Sequence, residues 1–196
     1  MINLGARIWD GSLAIAKYLV DGKFDRTWSC IELGSGCGIP GLVACQYVFV
    51  EGHVLLTDRQ QYMHLLLGNM DLLSGDARTR VSNQVLEWGI SVPETSFDLI
   101  IGSELIGVGS RDIFEKLLHT IVSVFRMSKA GGKNPIALIA YRRRACYEEE
   151  FFVRIIELGL SWEAVASYAS SELGPCVSDY YCNDSPIIIL KIQDML

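Results

Sequence analysis

Three glycines recur at every second position, Gly34, Gly36 and Gly38, directly after the apolar residues Ile31 and Leu33 with Glu32 between them. Glycine in such a turn lets the backbone take φ > 0 and lets a ligand approach the main chain without meeting a Cβ. Pro40 suits the first turn of a helix carried on by Leu42, Val43, Ala44 and Cys45. The N-terminus of that helix offers free N–H groups and partial positive charge behind the turn. About twenty residues beyond the glycines stands Asp58, where a carboxylate can accept hydrogen bonds from both hydroxyls of a ribose. Its alternative is to cap the following helix. Trp88 offers an indole plate on which an adenine stacks, or is an ordinary core tryptophan. Ser103 and Glu104 close the series; Glu104 faces a reacting group or merely caps a loop.

The ligand of the glycine turn follows from its register. A literal G-x-G-x-x-G exists at Gly36, Gly38 and Gly41, which raises a dinucleotide loop. Two details disfavour it. Gly34 already holds the place directly after the strand, and Ile39 sits where the third glycine of that register belongs. Glu32 also puts a carboxylate at the strand tip, where it repels a pyrophosphate but suits a ligand bearing an ammonium group. A plain turn without a ligand is the remaining alternative; three glycines cost backbone entropy that such a turn does not require.

The elements that must position these residues alternate. An amphipathic helix is expected over 8–20, with Ile8, Leu13, Ala16 and Leu19 on one side. A strand over 28–33 leads into the glycine turn and a helix to about Val50. A second strand, 53–58, ends in Asp58 and precedes a helix over 60–73 with Met63, Leu66, Leu67 and Met70 on its apolar side. A third strand runs from Val81 to Trp88, and a short linker without a helix, 91–96, leads to a fourth strand over 97–102. A helix over 112–125, a strand over 135–141, a helix over 147–158 and two closing strands, 161–168 and 186–192, complete the chain. Regular alternation implies a mainly parallel sheet with helices on both faces. Two closing strands with no helix between them imply an antiparallel last strand. The expected fold is therefore α/β, a three-layer Rossmann-like sheet of seven strands, with residues 1–196 forming a single domain.

Composition narrows the function. The chain has 196 residues, enough for one α/β domain with a real core, and 50% of them are hydrophobic. A formal net charge of −6 disfavours a nucleic-acid partner. The six cysteines include no C-x-x-C pair and the three histidines lie far apart, so free thiols and no metal site are expected. Arg7 and Asp10 interrupt the N-terminus early, against a signal peptide, and no apolar run approaches a membrane span. A soluble, cytoplasmic protein is expected, with the nucleus also open to it.

With these residues in place, Glu32-Leu33-Gly34-Ser35-Gly36-Cys37-Gly38 resembles the E-x-G-x-G-x-G loop of class I methyltransferases. Most of the chain resembles the family 16 methyltransferases, which methylate lysines of non-histone proteins such as chaperones and elongation factors. Gly5 to Asp10 is similar to that family's G-x-x-x-W segment, and the resemblance implies that Trp9 lines the methionine end of S-adenosylmethionine. It likewise implies that the Gly34-Ser35-Gly36 backbone lies against the cofactor, that Asp58 binds its ribose, that Trp88 in Leu86-Glu87-Trp88-Gly89 meets its adenine, and that Ser103 touches it. Tyr141 to Arg144 with Phe151-Phe152 resembles the family's segment after the fifth strand. The implied function is methyl transfer from S-adenosylmethionine to a protein lysine, by a monomer acting on a non-histone substrate, with no nucleic-acid or membrane partner.

One departure bears on the chemistry. The family's D-x-x-Y after the fourth strand reads Glu104-Leu105-Ile106-Gly107 here. The acid is one methylene longer and the tyrosine is replaced by glycine. A lysine must be neutral and in line with the leaving sulfur to attack, so a carboxylate that orients it and an aromatic wall that desolvates it both matter. Glu104 is the expected catalytic residue, and Tyr141, Tyr180 and Tyr181 are the residues able to replace the missing ring. With four residues before Gly5, the chain is also expected to lack most of any N-terminal extension that grips a protein. Arg142, Arg143 and Arg144 are expected in a solvated turn ahead of Glu148-Glu149-Glu150. A small-molecule methyltransferase and a cofactor-binding protein without catalysis are the competing readings, and a nicotinamide oxidoreductase the most distant.

Overall fold

Continuous apolar runs such as Leu99-Ile100-Ile101 suit strands covered on both faces, and that is where they lie. The computed structural model describes residues 4–106, 111–143, 148–173 and 185–195. Seven strands form one sheet: β1 (Cys30–Leu33), β2 (Val54–Asp58), β3 (Val81–Val85), β4 (Leu99–Ser103), β5 (Ile136–Tyr141), β6 (Leu160–Tyr168) and β7 (Ile187–Asp194). Their spatial order is β3-β2-β1-β4-β5-β7-β6. Strands β1 to β5 pair in parallel, and β7 is antiparallel to both of its neighbours, β5 and β6. The expected mixed sheet is therefore present, with the final strand inserted between β5 and β6. Strand order reverses between β1 and β4, so the loops after those two strands open a crevice at the carboxyl edge.

Side chains alternate across the sheet and divide the core. Ile31, Leu33, Leu55, Ile100 and Ile139 pack beneath α4 (Arg111–Ala130) and α5 (Glu149–Glu157), where Leu117, Ile121, Phe125, Phe151 and Ile155 are buried. On the opposite face Cys30, Val54, Leu56, Leu99 and Ile101 pack against α1 (Asp10–Asp21), α2 (Ile39–Val43) and α3 (Met63–Met70), through Ile15, Leu19, Leu42 and Leu66. Glu32 shares this second face with Cys30, one residue out of phase with Ile31 and Leu33.

Several element boundaries differ from expectation for local reasons. Helix α1 begins at Asp10, and the preceding residues form a strap that includes a 3₁₀ turn at Leu4–Ala6. The helix after the glycine turn leaves α geometry at Ala44, continues as a π turn to Val48, and closes with the Phe49 N–H donating to the Ala44 carbonyl at 2.8 Å. Arg80 donates to the carbonyls of Cys45 and Phe49 at 2.9 and 2.8 Å and so satisfies acceptors that a helix C-terminus leaves open. The helix expected over 60–73 is a 3₁₀ turn, Gln60–Tyr62, followed by the short α3. Met63, Leu66 and Met70 face the core while Leu67 is turned to solvent, because i, i+3 and i+7 define one side and i+4 falls off its edge here. Strand β3 ends at Val85, so Trp88 lies beyond the ladder. Helix α4 continues to Ala130, five residues further than its sequence pattern suggests. Among the described residues no helix is long and apolar enough to cross a membrane.

Candidate active site

The glycine turn is pinned to β2 before any ligand is considered. The Ser35 N–H donates to the Thr57 carbonyl at 2.9 Å and the Thr57 N–H returns a bond to Ser35 Oγ at 3.0 Å. Thr57 Oγ1 donates to the Glu32 carbonyl at 2.6 Å. Gly34 and Gly36 take φ of 60° and 53°, the left-handed region that disfavours side chains. A Cβ on Gly34 would stand 2.8 Å from Leu105 and 3.1 Å from the Trp88 ring; one on Gly36 would stand 2.8 Å from the Gly5 carbonyl oxygen. The turn therefore runs bare between the tryptophan on one side and the N-terminal strap on the other.

Around it lies a cavity of about 500 Å³. Trp9, Gly34, Ser35, Gly36, Asp58, Trp88, Ser103 and Glu104 all line it, so eight of the residues expected from sequence meet in one place. Asp58 ends β2 half-buried, its Oδ2 accepting the Gly36 N–H and its Oδ1 the Arg59 N–H, both at 2.7 Å. Burial raises its carboxyl above the usual value, and the Gly36 N–H pulls it back. Each oxygen retains a further lone pair for a hydroxyl donor. It does not cap the helix after β2: Arg59 holds that position without a side-chain bond.

Glu104 is the unusual residue. It follows β4 with φ 57°, the sole non-glycine with positive φ among the described residues, and is 5% exposed. Its N–H donates to the Ala140 carbonyl of β5 at 2.8 Å. A Cβ on Gly11 would sit 2.7 Å from Glu104 Cγ, so α1 presents a glycine where the carboxylate passes. Left-handed backbone at a non-glycine costs on the order of 1–3 kcal/mol and persists only where the surroundings hold it.

Two expected ligand residues do not reach the cavity. Glu32 is 1% exposed beneath the turn, on the α1–α3 face of the sheet, with Oε2 accepting the Gly41 N–H at 3.1 Å. It anchors the start of α2 and does not meet a ligand's ammonium group. Burial pushes its carboxyl up to about 8, helped by the charge on Asp58 and opposed by the Gly41 N–H. Gly38 turns inward as well, against Leu66 and Leu56. The pH consequence has a definite sign. A carboxyl raised on folding from the ordinary 4.5 to about 8 holds a proton that the unfolded chain releases. Its contribution is full at low pH and is lost as pH rises through that interval, with a slope of at most about 1.4 kcal/mol per pH unit. Glu32→Gln cannot ionise, so its urea midpoint should fall less between pH 5.5 and 7.5 than that of the parent. An equal fall in both proteins would show that Glu32 does not bind the proton.

Corrections also fall after β5. Arg142 is not solvated: it is 1% exposed, pairs with Asp10 at 2.6 Å and donates to Ser170 Oγ at 2.8 Å. Arg143 fits the expectation, pairing with Glu149 at the surface. Tyr141 does not wall the cavity. Its hydroxyl donates to Glu148 at 2.8 Å, its ring packs on Phe152, and burial with Glu148 raises its phenol well above the usual value. Gly107, Arg144, Tyr180 and Tyr181 lie outside the described residues. Residues that sequence reasoning missed include Gly5, Arg7, Tyr62, Arg59 and Ile113, all lining the cavity. A Cβ on Gly5 would lie 2.5 Å from the Tyr62 ring, a contact between distant segments that no local pattern reveals. Among the described residues Cys30, Cys37 and Cys45 are free, and no cluster of His, Cys, Asp and Glu is arranged to hold a metal.

Sheet order, a bare glycine turn at the switch point and an acid at the end of β2 together define the class I methyltransferase fold. Solved structures carry the same fold. A glycopeptide N-methyltransferase, MtfA, complexed with S-adenosyl-L-methionine superposes with a TM-score of 0.65 at 10% identity, over 91% of this chain and 86% of that one. The precorrin-6y C5,15-methyltransferase of Geobacter metallireducens gives 0.59 at 13% identity, over 93% and 88%. A family model described as lysine methyltransferase matches residues 2–158, and the chain belongs to that family. Curated relatives include the protein N-lysine methyltransferase METTL21A of Xenopus tropicalis, 31% identical over 153 residues, 76% of this chain and 66% of that protein. The EEF1A lysine methyltransferase 3 of Mus musculus is 28% identical over 159 residues, 79% and 63% respectively. The chain thus spans about two thirds of the length of these relatives.

Proposed function

We propose that this protein transfers a methyl group from S-adenosylmethionine to a lysine side chain of a non-histone protein. The observation that carries the reading is Glu104, buried, held in left-handed backbone and facing the same cavity as Asp58, Trp88 and the glycine turn. The cavity fits the cofactor by its own geometry. The faces of Gly34 and Gly36 are closed to any Cβ, Asp58 can accept from two vicinal hydroxyls, and the volume lies in the range of small-molecule sites. When bound, S-adenosylmethionine supplies an electrophilic methyl on a sulfonium.

The chain's own residues then supply position. Asp58 holds the ribose, Trp88 covers the adenine, and the Gly34–Gly36 backbone lies alongside. Glu104 accepts a hydrogen bond from the acceptor amine and aims its lone pair at the methyl carbon. Leu105, Ile113 and Trp9 exclude water around that line, which disfavours the charged ammonium and favours the neutral nucleophile. The nitrogen–carbon bond forms as the carbon–sulfur bond breaks, and the amine loses a proton to solvent. Positioning of this kind accounts for several orders of magnitude in rate. We place residues 1–196 in a single methyltransferase domain that acts as a monomer on a folded protein, in a reducing compartment such as the cytoplasm or nucleus.

Two variants separate the roles. Asp58→Ala should lose about 1.5–3 kcal/mol of cofactor affinity, roughly ten- to hundredfold. Glu104→Ala should leave that affinity within about twofold while lowering turnover at saturating cofactor by about a hundredfold, the lower end of what one positioned group contributes. Calorimetry and methyl-transfer assays measure the two quantities. Equal affinity losses, or parental turnover in Glu104→Ala, would contradict the assignment.

A further inference from the structure

The amino-acid end of the methyl donor carries a carboxylate as well as an ammonium group, and the cavity has to neutralise it. Its acidic lining, Asp58, Glu87 and Glu104, repels an anion. Three cationic side chains line the same space: Arg7, Arg59 and Lys116. Lys116 is taken by Asp112 at 2.6 Å. Arg59 is engaged by the face of the Tyr62 ring, its guanidinium 5.5 Å from the ring centre. Arg7 is half-buried and makes no hydrogen bond or ion pair with the described residues.

The position of Arg7 follows from the strap that carries it. The Gly5 carbonyl lies against Gly36, and the Cys37 thiol points at the same oxygen at 3.7 Å. Four residues later Trp9 enters the cavity and α1 begins. The strap therefore spans the end of the cavity away from Trp88, between the glycine turn and the start of α1. With the nucleoside held at Asp58 and Trp88 and the methyl aimed at Glu104, the amino-acid end falls under this strap. Glu32, the acid that the glycine motif offers for the amino-acid end, is sealed beneath the turn.

We propose that Arg7 is the anchor for the α-carboxylate of S-adenosylmethionine, and that this charged pair sets the cavity's preference for donors with an intact amino-acid end. The inference rests on the proposed S-adenosylmethionine site. A guanidinium suits the task because its planar fork meets a carboxylate with two parallel bonds and it is weakly hydrated.

Calorimetry with two ligands tests it: S-adenosylmethionine and its decarboxylated analogue, which differs by the carboxylate alone. The parent protein should prefer the intact ligand by about tenfold or more. Arg7→Ala should weaken S-adenosylmethionine about ten- to hundredfold and leave the decarboxylated analogue within about twofold, so the preference disappears. Arg7→Lys, which keeps the charge without the fork, should retain part of it. An equal loss for both ligands, or collapse of the preference in Arg59→Ala instead, would overturn the assignment. Binding of neither ligand to the parent protein would overturn the cofactor site itself, which separates failure of that reading from failure of the role of Arg7.

Discussion

Replacing Arg142 by alanine is expected to destabilise the protein by about 3–5 kcal/mol, the cost of leaving one half of a buried ion pair without its partner. Arg142 and Asp10 are 1% and 7% exposed and 2.6 Å apart, with Ser170 Oγ bonded to both. For a chain of this size the loss corresponds to a fall of about 6–20 °C in melting temperature. Asp10 is left facing a hole and draws in water or shifts α1. Because Asp10 stands between Trp9 and Gly11, that shift reaches both the strap and the space that Glu104 occupies. Removing both charges, as Asp10→Leu with Arg142→Met, should cost less than Arg142→Ala alone, since no orphaned charge remains. Thermal melts of the three proteins decide it. A single-variant loss under 1 kcal/mol would mean that the pair is solvated.

Gly36→Ala is expected to cost cofactor affinity about 100-fold, roughly 2.7 kcal/mol. An alanine pays about 1–2 kcal/mol to hold φ near 53°, and its methyl meets the Gly5 carbonyl oxygen at 2.8 Å. Backbone cannot rotate away as a side chain would, so either the strap or the turn moves. Movement of the turn breaks the bond from the Gly36 N–H to Asp58, a charge-assisted contact worth about 1.5–3 kcal/mol. Gly68, with open space around its Cβ position, is the control: Gly68→Ala should bind cofactor as the parent does. Calorimetry on both variants measures the difference, and parental affinity in Gly36→Ala would mean that the turn does not form the cofactor's bed.

Most of the architecture was legible because strand and helix periods are long-lived signals. The runs around Ile31, Leu55 and Ile100 and the placement of Asp58 specified a parallel sheet with its site at the carboxyl edge. The same alternation already contained the correction for Glu32. A residue out of phase with Ile31 and Leu33 belongs to the opposite face, beneath α2, and its acidic type drew attention away from its phase. Arg142 misled in the converse way. Three consecutive arginines suggest a solvated turn, and the partner that buries the first of them lies 132 residues earlier in the chain. The strap was legible as a motif through Trp9, whereas the contacts of Gly5 with Tyr62 and Gly36 are tertiary and leave no local trace. The carbonyls at the π turn Ala44–Val48 are met by Arg80, again distant in sequence.

The central claim is lysine methylation, and radiolabelled methyl transfer tests it most directly. The purified protein is incubated with S-adenosylmethionine tritiated on the methyl group and a cell lysate, and labelled proteins are digested and sequenced by mass spectrometry. The account predicts label in one or a few proteins, on lysine nitrogen, present with the parent enzyme and reduced about a hundredfold with Glu104→Ala at saturating cofactor. Label confined to small molecules, or protein label on residues other than lysine, would contradict it.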